Sequence, residues 1–468
     1  VSIVFDDVPM EKVALKAFPL FDMDRIEVIR GPQGTLFGRN TTAGIVIVAS
    51  RRPTDEYEGF FRGAVGNLGT FNFEGAVGGP RVEDTLMARV SVLSQNRWDW
   101  VDNGFTGQND ALGGHSIFAG RVQLLWAPTD NFSALLLHQM QDSDGTSSLF
   151  RANVFNKGSN SLNENYDRSK VFFDGGANNP AVVKSTGTNL KLDWDLDNHT
   201  ITSITSYQNI TDRSARGDID GGFGCALAFA CTGPSGPPST PFDPFTSPFA
   251  VNVDTGSDID LEQLTQELRI ASSGDGRFNY QFGAFYFEDQ FDGTAKAQSA
   301  GATAYTTQSV SSIENTTWAV FGQGSYDFSD QLTLTAGMRY TDDEKNALIR
   351  DFSGVVPTTR INLTDDNFSW DLALAYAMSD DSQVYGRVAA GFRAPTIQDR
   401  IADDTEVSTA DSETILSYEI GYKALWDRAR LNVAGFYYVI DDMQLVIVGG
   451  VDNSTTLLNA DEGVGYGI

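Results

Sequence analysis

The sequence is poor in cysteine, histidine and positive charge, and it has no long apolar run. Of its 468 residues only two are Cys and three are His. The three histidines, His115, His138 and His199, are scattered and fit neither an HExxH zinc spacing nor a Ser–His–Asp arrangement, and no GxSxG is present. No catalytic residue, metal site or cofactor is therefore expected. No stretch reaches 18 consecutive apolar residues, which excludes a transmembrane helix but leaves membrane strands open. Lys and Arg number 33 against 62 Asp and Glu, a net charge of −29, so nucleic acid is a poor partner. The chain starts at Val1 without a basic-then-apolar leader, and reads as a mature fragment whose beginning is missing.

What is abundant is glycine and aromatic side chains: 46 Gly, 31 Phe and 15 Tyr. That balance fits many strands, tight turns and aromatic girdles. From Tyr57 onward apolar and polar residues alternate with period two. Leu332, Leu334, Ala336, Met338 and Tyr340 interleave with Thr333, Thr335, Gly337, Arg339 and Thr341, and three other segments, around Leu192, Leu374 and Ile420, behave the same way. A soluble sandwich would also alternate. The connections favour a barrel, because short turns (Ala127–Asn131, Asp195–Asn198, Ser272–Arg277, Phe328–Gln331, Met378–Ser382, Trp426–Arg430) take turns with long ones (Asp99–Gly114, Ser143–Lys184, Arg213–Ile259, Asp292–Ile313, Asn346–Asp365, Ala394–Ser412). Such a meander places every long loop at one end, as in an outer-membrane barrel. About 15 or 16 strands are expected, each long enough for the roughly 9–11 residues of a tilted membrane strand.

One stretch stands apart. Arg25 to Val48 reads as a strand (Arg25–Arg30), a turn punctuated by Gly31, Pro32, Gly34, Gly38, Arg39 and Asn40, and a second β-branched strand (Ile45–Val48). Its glycines also suit an anion cradle, but neither GxxxxGK[ST] nor GxGxxG is present. From Phe21 to Pro53 the sequence resembles the end of the plug domain of TonB-dependent outer-membrane receptors. The resemblance continues in Gln266–Arg269, Leu334–Tyr340, Tyr385 through Gly391-Phe392-Arg393-Ala394-Pro395, and Tyr418–Lys423.

The resemblance implies an all-β protein: a transmembrane antiparallel barrel, about 22 strands in the family, around an N-terminal plug. Residues 1–55 would be the C-terminal half of the plug and 56–468 the barrel. The front of the plug, the TonB box and the last quarter of the barrel are missing by this reading, and an open edge in lipid is not viable. The implied activity is uptake of a ferric siderophore, powered through a TonB complex at the outer membrane of a Gram-negative bacterium, in contact with lipid and lipopolysaccharide. A carbohydrate or other nutrient, or a passive porin, is the alternative. Phe392-Arg393-Ala394-Pro395 matches the family's haem-receptor motif, but the following loop has no His and no Asn-Pro-Asn-Leu.

Several residues carry specific expectations. Glu267 and Glu419 fall on the lumen side of their strands. There they are either hydrated or paired with plug charges, Arg30 above all, with Glu27 nearby; the family's plug–barrel charge network implies the pairing. Phe242, Phe245 and Phe249 stack on a ligand or pack their own loop. Cys225 and Cys231, with five residues between them, form a local disulfide or remain free thiols. Acid runs such as Asp342-Asp343-Glu344 and Asp403-Asp404 read as solvated charge at strand ends or in loops. Asp142-Ser143-Asp144-Gly145 and Asp218-Ile219-Asp220-Gly221 resemble incomplete calcium loops.

Overall fold

A computed structural model describes residues 2–104, 106–151, 154–156, 159–164, 166–171, 173, 179–218, 254–274, 276–298, 306–352, 354, 356–398, 406–449 and 454–468. Two sheets dominate it. The first is a small four-stranded sheet built from β1 (Ser2–Phe5), β2 (Val8–Met10), β3 (Met23–Arg30) and β4 (Gly44–Ser50), in the order β2-β1-β4-β3. β1 runs parallel to β4, and the other two pairs are antiparallel. The one-turn helix α1 (Gly34–Phe37) lies between β3 and β4.

The second sheet has 16 strands, from Glu58–Val65 to Ser454–Gly467, each antiparallel to its neighbours in chain order. Alternation sorts its side chains into two unlike faces, inverted with respect to a soluble protein. On the outer face Phe118, Trp126, Met140, Trp194, Leu268, Met338, Leu372 and Ile420 are exposed, Met338 at 59% and Ile420 at 65%. On the inner face Arg89, Arg121, Gln123, Gln263, Arg339, Asp343 and Ser369 are buried. Apolar groups face outward without cost only where the surroundings are lipid. Aromatic pairs such as Trp126–Phe132 and Tyr326–Phe328 lie beside the short turns, where a girdle meets the membrane interface.

The small sheet sits on the concave inner face. Strands spaced from Leu86–Arg97 round to Ser382–Arg393 touch it, as the contacts below show. On one flank the union is apolar: Phe5, Val8, Met10, Leu15 and Val48 share a buried cluster with Ile204, Ile210 and Leu261 of the wall.

The short turns close where the sequence places them, for example between Thr129 and Phe132 and between Ser379 and Ser382. The strands are longer than expected. Thr306–Asp327 has 22 residues, roughly 70 Å of extended chain. Much of the expected connections Asp292–Ile313 and Asn346–Asp365 is strand, continuing Phe278–Gln298, Leu332–Asp351 and Thr359–Ser379. Above the hydrocarbon the outer face no longer needs apolar residues, so the alternation fades while the hydrogen-bond ladder continues.

Candidate functional site at the boundary between inner domain and wall

The boundary is held by polar contacts spaced around the concave face. The turn after β3 supplies one group of them. Gly38 turns the chain with φ of 78°, and a Cβ there would stand 2.9 Å from the Arg339 guanidinium, itself flanked by Phe285 and Phe321. Gly34 packs equally closely on Ser369 and Gly391. These close approaches seat Thr35, Arg39 and Asn40 against the wall.

Arg39 forms a buried ion pair with Asp343 and donates to the Asn315 side-chain oxygen at 3.2 Å. Its guanidinium stacks 4.6 Å from the Phe287 ring centroid. Thr317 donates to the same Asp343 carboxylate at 2.7 Å. Thr35 Oγ1 donates to Asp371 at 2.7 Å, and the Arg387 Nη2 donates to the Pro32 carbonyl at 2.8 Å. The Asn40 backbone N–H donates to the Phe392 carbonyl at 3.0 Å, its side-chain oxygen accepts from the Ala394 N–H at 3.2 Å, and its amide donates to Glu11.

A second group lies where the chain enters β3. Asp22, with φ of 50°, accepts two hydrogen bonds of 2.7 Å from Arg89 and a third from Ser91. Glu58 holds the far side of the same guanidinium at 2.6 Å. Burial pushes the Asp22 carboxyl up, but the Arg89 and Ser91 hydrogen bonds prevail and hold it below the usual range. Arg121 donates to the Phe21 carbonyl at 3.2 Å amid the rings of Phe5, Phe18 and Phe21. Beside it Asp6 caps Ser50, accepting at 2.8 Å from both its N–H and its hydroxyl; burial raises this carboxyl despite the charge of Arg121. Asp7 pairs with Lys191 at 2.8 Å, Lys12 lies 3.8 Å from Asp289, and Gln263 donates to the Pro9 carbonyl at 2.9 Å.

Together these contacts hold the inner domain against the wall. A family model described as the TonB-dependent receptor-like β-barrel matches residues 135–468, and the TonB-dependent receptor plug domain model matches residues 1–45. The chain belongs to the TonB-dependent receptor family. It is 23% identical over 458 residues to the pesticin receptor of Yersinia enterocolitica, covering 96% of this chain and 60% of that protein. It is 30% identical over 130 residues to the ferrioxamine receptor of the same species, 27% of this chain and 16% of the relative. The ferric yersiniabactin uptake receptor of Yersinia pestis shares the fold with a TM-score of 0.75 at 20% identity, over 95% of this chain and 64% of that one. A siderophore receptor of Acinetobacter baumannii does so with a TM-score of 0.73 at 13% identity, over 99% and 67%. The chain thus spans about 60% of the length of the curated relatives that it matches along nearly its whole extent. The family consists of receptors and transporters rather than enzymes.

The plug residues singled out in the sequence divide into two sets. Pro32, Gly34, Gly38, Arg39 and Asn40 lie at the seam, and Gly31 turns the chain just before them. Arg30 does not reach it. It is exposed among the residues of this chain, and the structure does not bring it to Glu267 or Glu419, because β3 is the outer strand of the small sheet and this part of it stands clear of the sixteen wall strands. Glu27 pairs instead with Arg25 on the same strand. Glu267 pairs with Arg269 at 3.1 Å, and Glu419 accepts from the Tyr385 hydroxyl at 2.6 Å, so both lumen-side carboxylates find partners within the wall. Asp343 is a further correction. It is a buried strand residue pointing inward, not solvated loop charge. Asp142 to Gly145 also lie in a strand, with Asp142 paired to Lys184 at 3.2 Å, so that stretch does not form a calcium loop. Cys225, Cys231, Phe242, Phe245, Phe249, Asp403, Asp404 and the run from Ile219 to Gly221 lie outside the described residues.

Sequence reasoning missed Asp22, Thr35, Arg89, Asp343, Asp371 and Arg387. A charged residue of lumen parity inside an alternating strand was the available signal for Arg89, Asp371 and Arg387; Asp343 lies beyond the apolar part of its strand's alternation.

Proposed function

We propose that this chain is the greater part of a receptor that imports a ferric siderophore across the outer membrane of a Gram-negative bacterium. Residues 1–55 act as the plug and 56–468 as the barrel. The observation that supports this reading best is a folded inner domain gripped by buried ion pairs against the concave face of a wall whose convex face is apolar. Such a seam blocks passive flow, yet each contact is a point interaction that a force applied from the periplasm can break in turn. The plug half carries the contacts, the wall carries the lipid belt, and lipid and lipopolysaccharide contact that belt. The energy comes from a TonB complex, so the chain needs no nucleotide site and performs no catalysis.

The test is uptake of radioactive iron supplied as a siderophore complex by cells expressing the full-length receptor. Accumulation should be saturable and should vanish in a strain lacking TonB. Uptake that persists without TonB, together with swelling of liposomes in small sugars, points to a porin and overturns the reading.

A further inference from the structure

A second polar feature lies at the opposite end of the wall from the short turns. On four successive strands Arg97, His115, Gly145 and Ala181 stand directly across from one another. They share the parity of Arg89, Arg121 and Gln139, and so belong to the inner face. Gly145 leaves room between its neighbours. Described parts of two long connections lie over the gap and border an open cavity of about 400 Å³, lined by Arg97, Trp100, His115, Leu149, Arg151 and Arg168 among others.

The cover is a built structure. Val101–Asn103, Gln108–Leu112 and Lys170–Val171 form a small three-stranded sheet. It has its own core of Val101, Leu112, Val171 and Phe173, against which Trp100 and Leu149 pack. The Asn103 amide donates to the Phe173 carbonyl at 2.6 Å and its oxygen accepts from the Phe173 N–H at 3.2 Å, tying the two connections together. Arg151 braces the same region by donating to the carbonyls of Asp167, Arg168 and Lys170.

Charge within the cavity is opposite to that of the chain as a whole. Among the described residues three guanidinium groups line it and no carboxylate does, in a protein of net charge −29. Two of its donors are buried without a hydrogen-bond partner among the described residues: Arg97 Nε and the Trp100 indole Nε1. Arg97 Nη2 is already committed to the Gly113 carbonyl at 2.8 Å, which fixes the guanidinium while leaving Nε free. Arg168, exposed, lies 5.6 Å from the Trp100 ring centroid. Orphaned buried donors are costly unless a ligand satisfies them, and fixed guanidinium groups beside an aromatic face match a planar anion.

We propose that this recess binds the anionic edge of the imported chelate, so that the receptor selects ferric complexes of net negative charge, carboxylate or catecholate, over neutral hydroxamates. Arg97 and Trp100 supply hydrogen bonds, Arg168 supplies charge and a stacking partner, and Arg151 holds the cover in place. The inference rests on the reading of the chain as a siderophore receptor.

The test compares a ferric tris-catecholate with a neutral ferric trihydroxamate on the full-length receptor, by quenching of tryptophan fluorescence in detergent and by iron uptake in cells. Arg168→Gln, at an exposed position, and Arg97→Gln should each weaken the catecholate by roughly tenfold to a hundredfold and leave the hydroxamate unchanged. Arg168→Lys should recover part of the loss. Equal affinity of wild type and both variants for the catecholate overturns the recess, as does an equal loss for both chelates, while iron uptake by the wild type still upholds the receptor reading. A wild type that imports neither chelate overturns that reading and the recess with it.

Discussion

The two charged clamps at the plug boundary have opposite polarity. At the entrance to β3 the plug supplies the carboxylate, Asp22, and the wall supplies the guanidinium, Arg89. At the turn after β3 the plug supplies the guanidinium, Arg39, and the wall supplies the carboxylate, Asp343. All four side chains are nearly fully buried. Rotating or sliding the plug so that one clamp met the other's partner would bring like charges together, which fixes a single seating. Buried ion pairs contribute little net stability but strongly penalise a missing partner, so register rather than strength is what the pair of clamps provides. They also differ in reserve. Arg89 has a second carboxylate, Glu58, at 2.6 Å, whereas the nearest alternative for Arg39 is Glu11 at 4.0 Å.

That difference ranks the expected effects. Asp343→Ala should be the most damaging, leaving Arg39 buried without a close carboxylate and weakening plug seating by about 3–5 kcal/mol. The loss should show as faster hydrogen exchange in β4 and leakage of large antibiotics into cells. The double variant with Arg39→Ala should recover a good part of it, and strict additivity would defeat the account. Asp22→Asn should cost less, about 1–2 kcal/mol, because Arg89 keeps Glu58. Equal effects from Asp343→Asn and Asp22→Asn would show that the reserve carboxylate does nothing.

Smaller changes sharpen the same contrast on the Arg39 side. Gly38→Ala should weaken seating by about 1–2 kcal/mol, since the residue must hold a positive φ and its Cβ must displace the Arg339 guanidinium from between two phenyl rings. Thr35→Val removes one hydrogen bond to Asp371, whose carboxylate still lies 3.8 Å from Arg387, and should cost about 0.5–1.5 kcal/mol in the same exchange measurement.

Much of this architecture is legible in the sequence, and the rest is hidden for definite reasons. Period-two alternation exposes the wall because lipid and lumen demand opposite side chains, and the same parity puts Glu267 and Glu419 on the inner face. Parity gives a face but neither a height nor a position around the wall. Arg30 is therefore the partner the sequence suggests for a lumen acid, whereas the close packing of Gly34 and Gly38 delivers Arg39 to the wall. Asp343 looks like loop charge because it sits in Asp342-Asp343-Glu344, a run with no apolar outer neighbour. The structure continues the strand through that run, above the belt where alternation carries no signal. The cationic recess was not legible either, since its six principal side chains come from four separate segments of the chain.

Acid should separate the plug's own carboxylates, with the smallest expected effect. Asp22 has its carboxyl held below the ordinary value of 3.8, after the Arg89 and Ser91 hydrogen bonds outweigh burial. A lowered carboxylate stabilises the folded state fully above its unfolded value, and that stability is lost as pH falls through the lowered one. Asp6 is shifted the other way, raised from 3.8 chiefly by burial, with Arg121 only partly offsetting it. Its charged form is disfavoured by folding, so it carries a penalty at neutral pH that disappears as pH falls through the raised value. Arg121 faces both acids and Asp7 lies beside Asp6, so these are the charges that set the balance. Hydrogen-exchange protection of β4 should rise modestly on acidification from neutral and then fall below about pH 4. Asp6→Asn should remove the rise and leave the fall, whereas Asp22→Asn should reduce the fall and leave the rise. A profile unchanged by Asp6→Asn would mean that this carboxylate is already matched by Arg121 and Ser50 at neutral pH, and that the entrance to the plug strand is tuned by one acid rather than two.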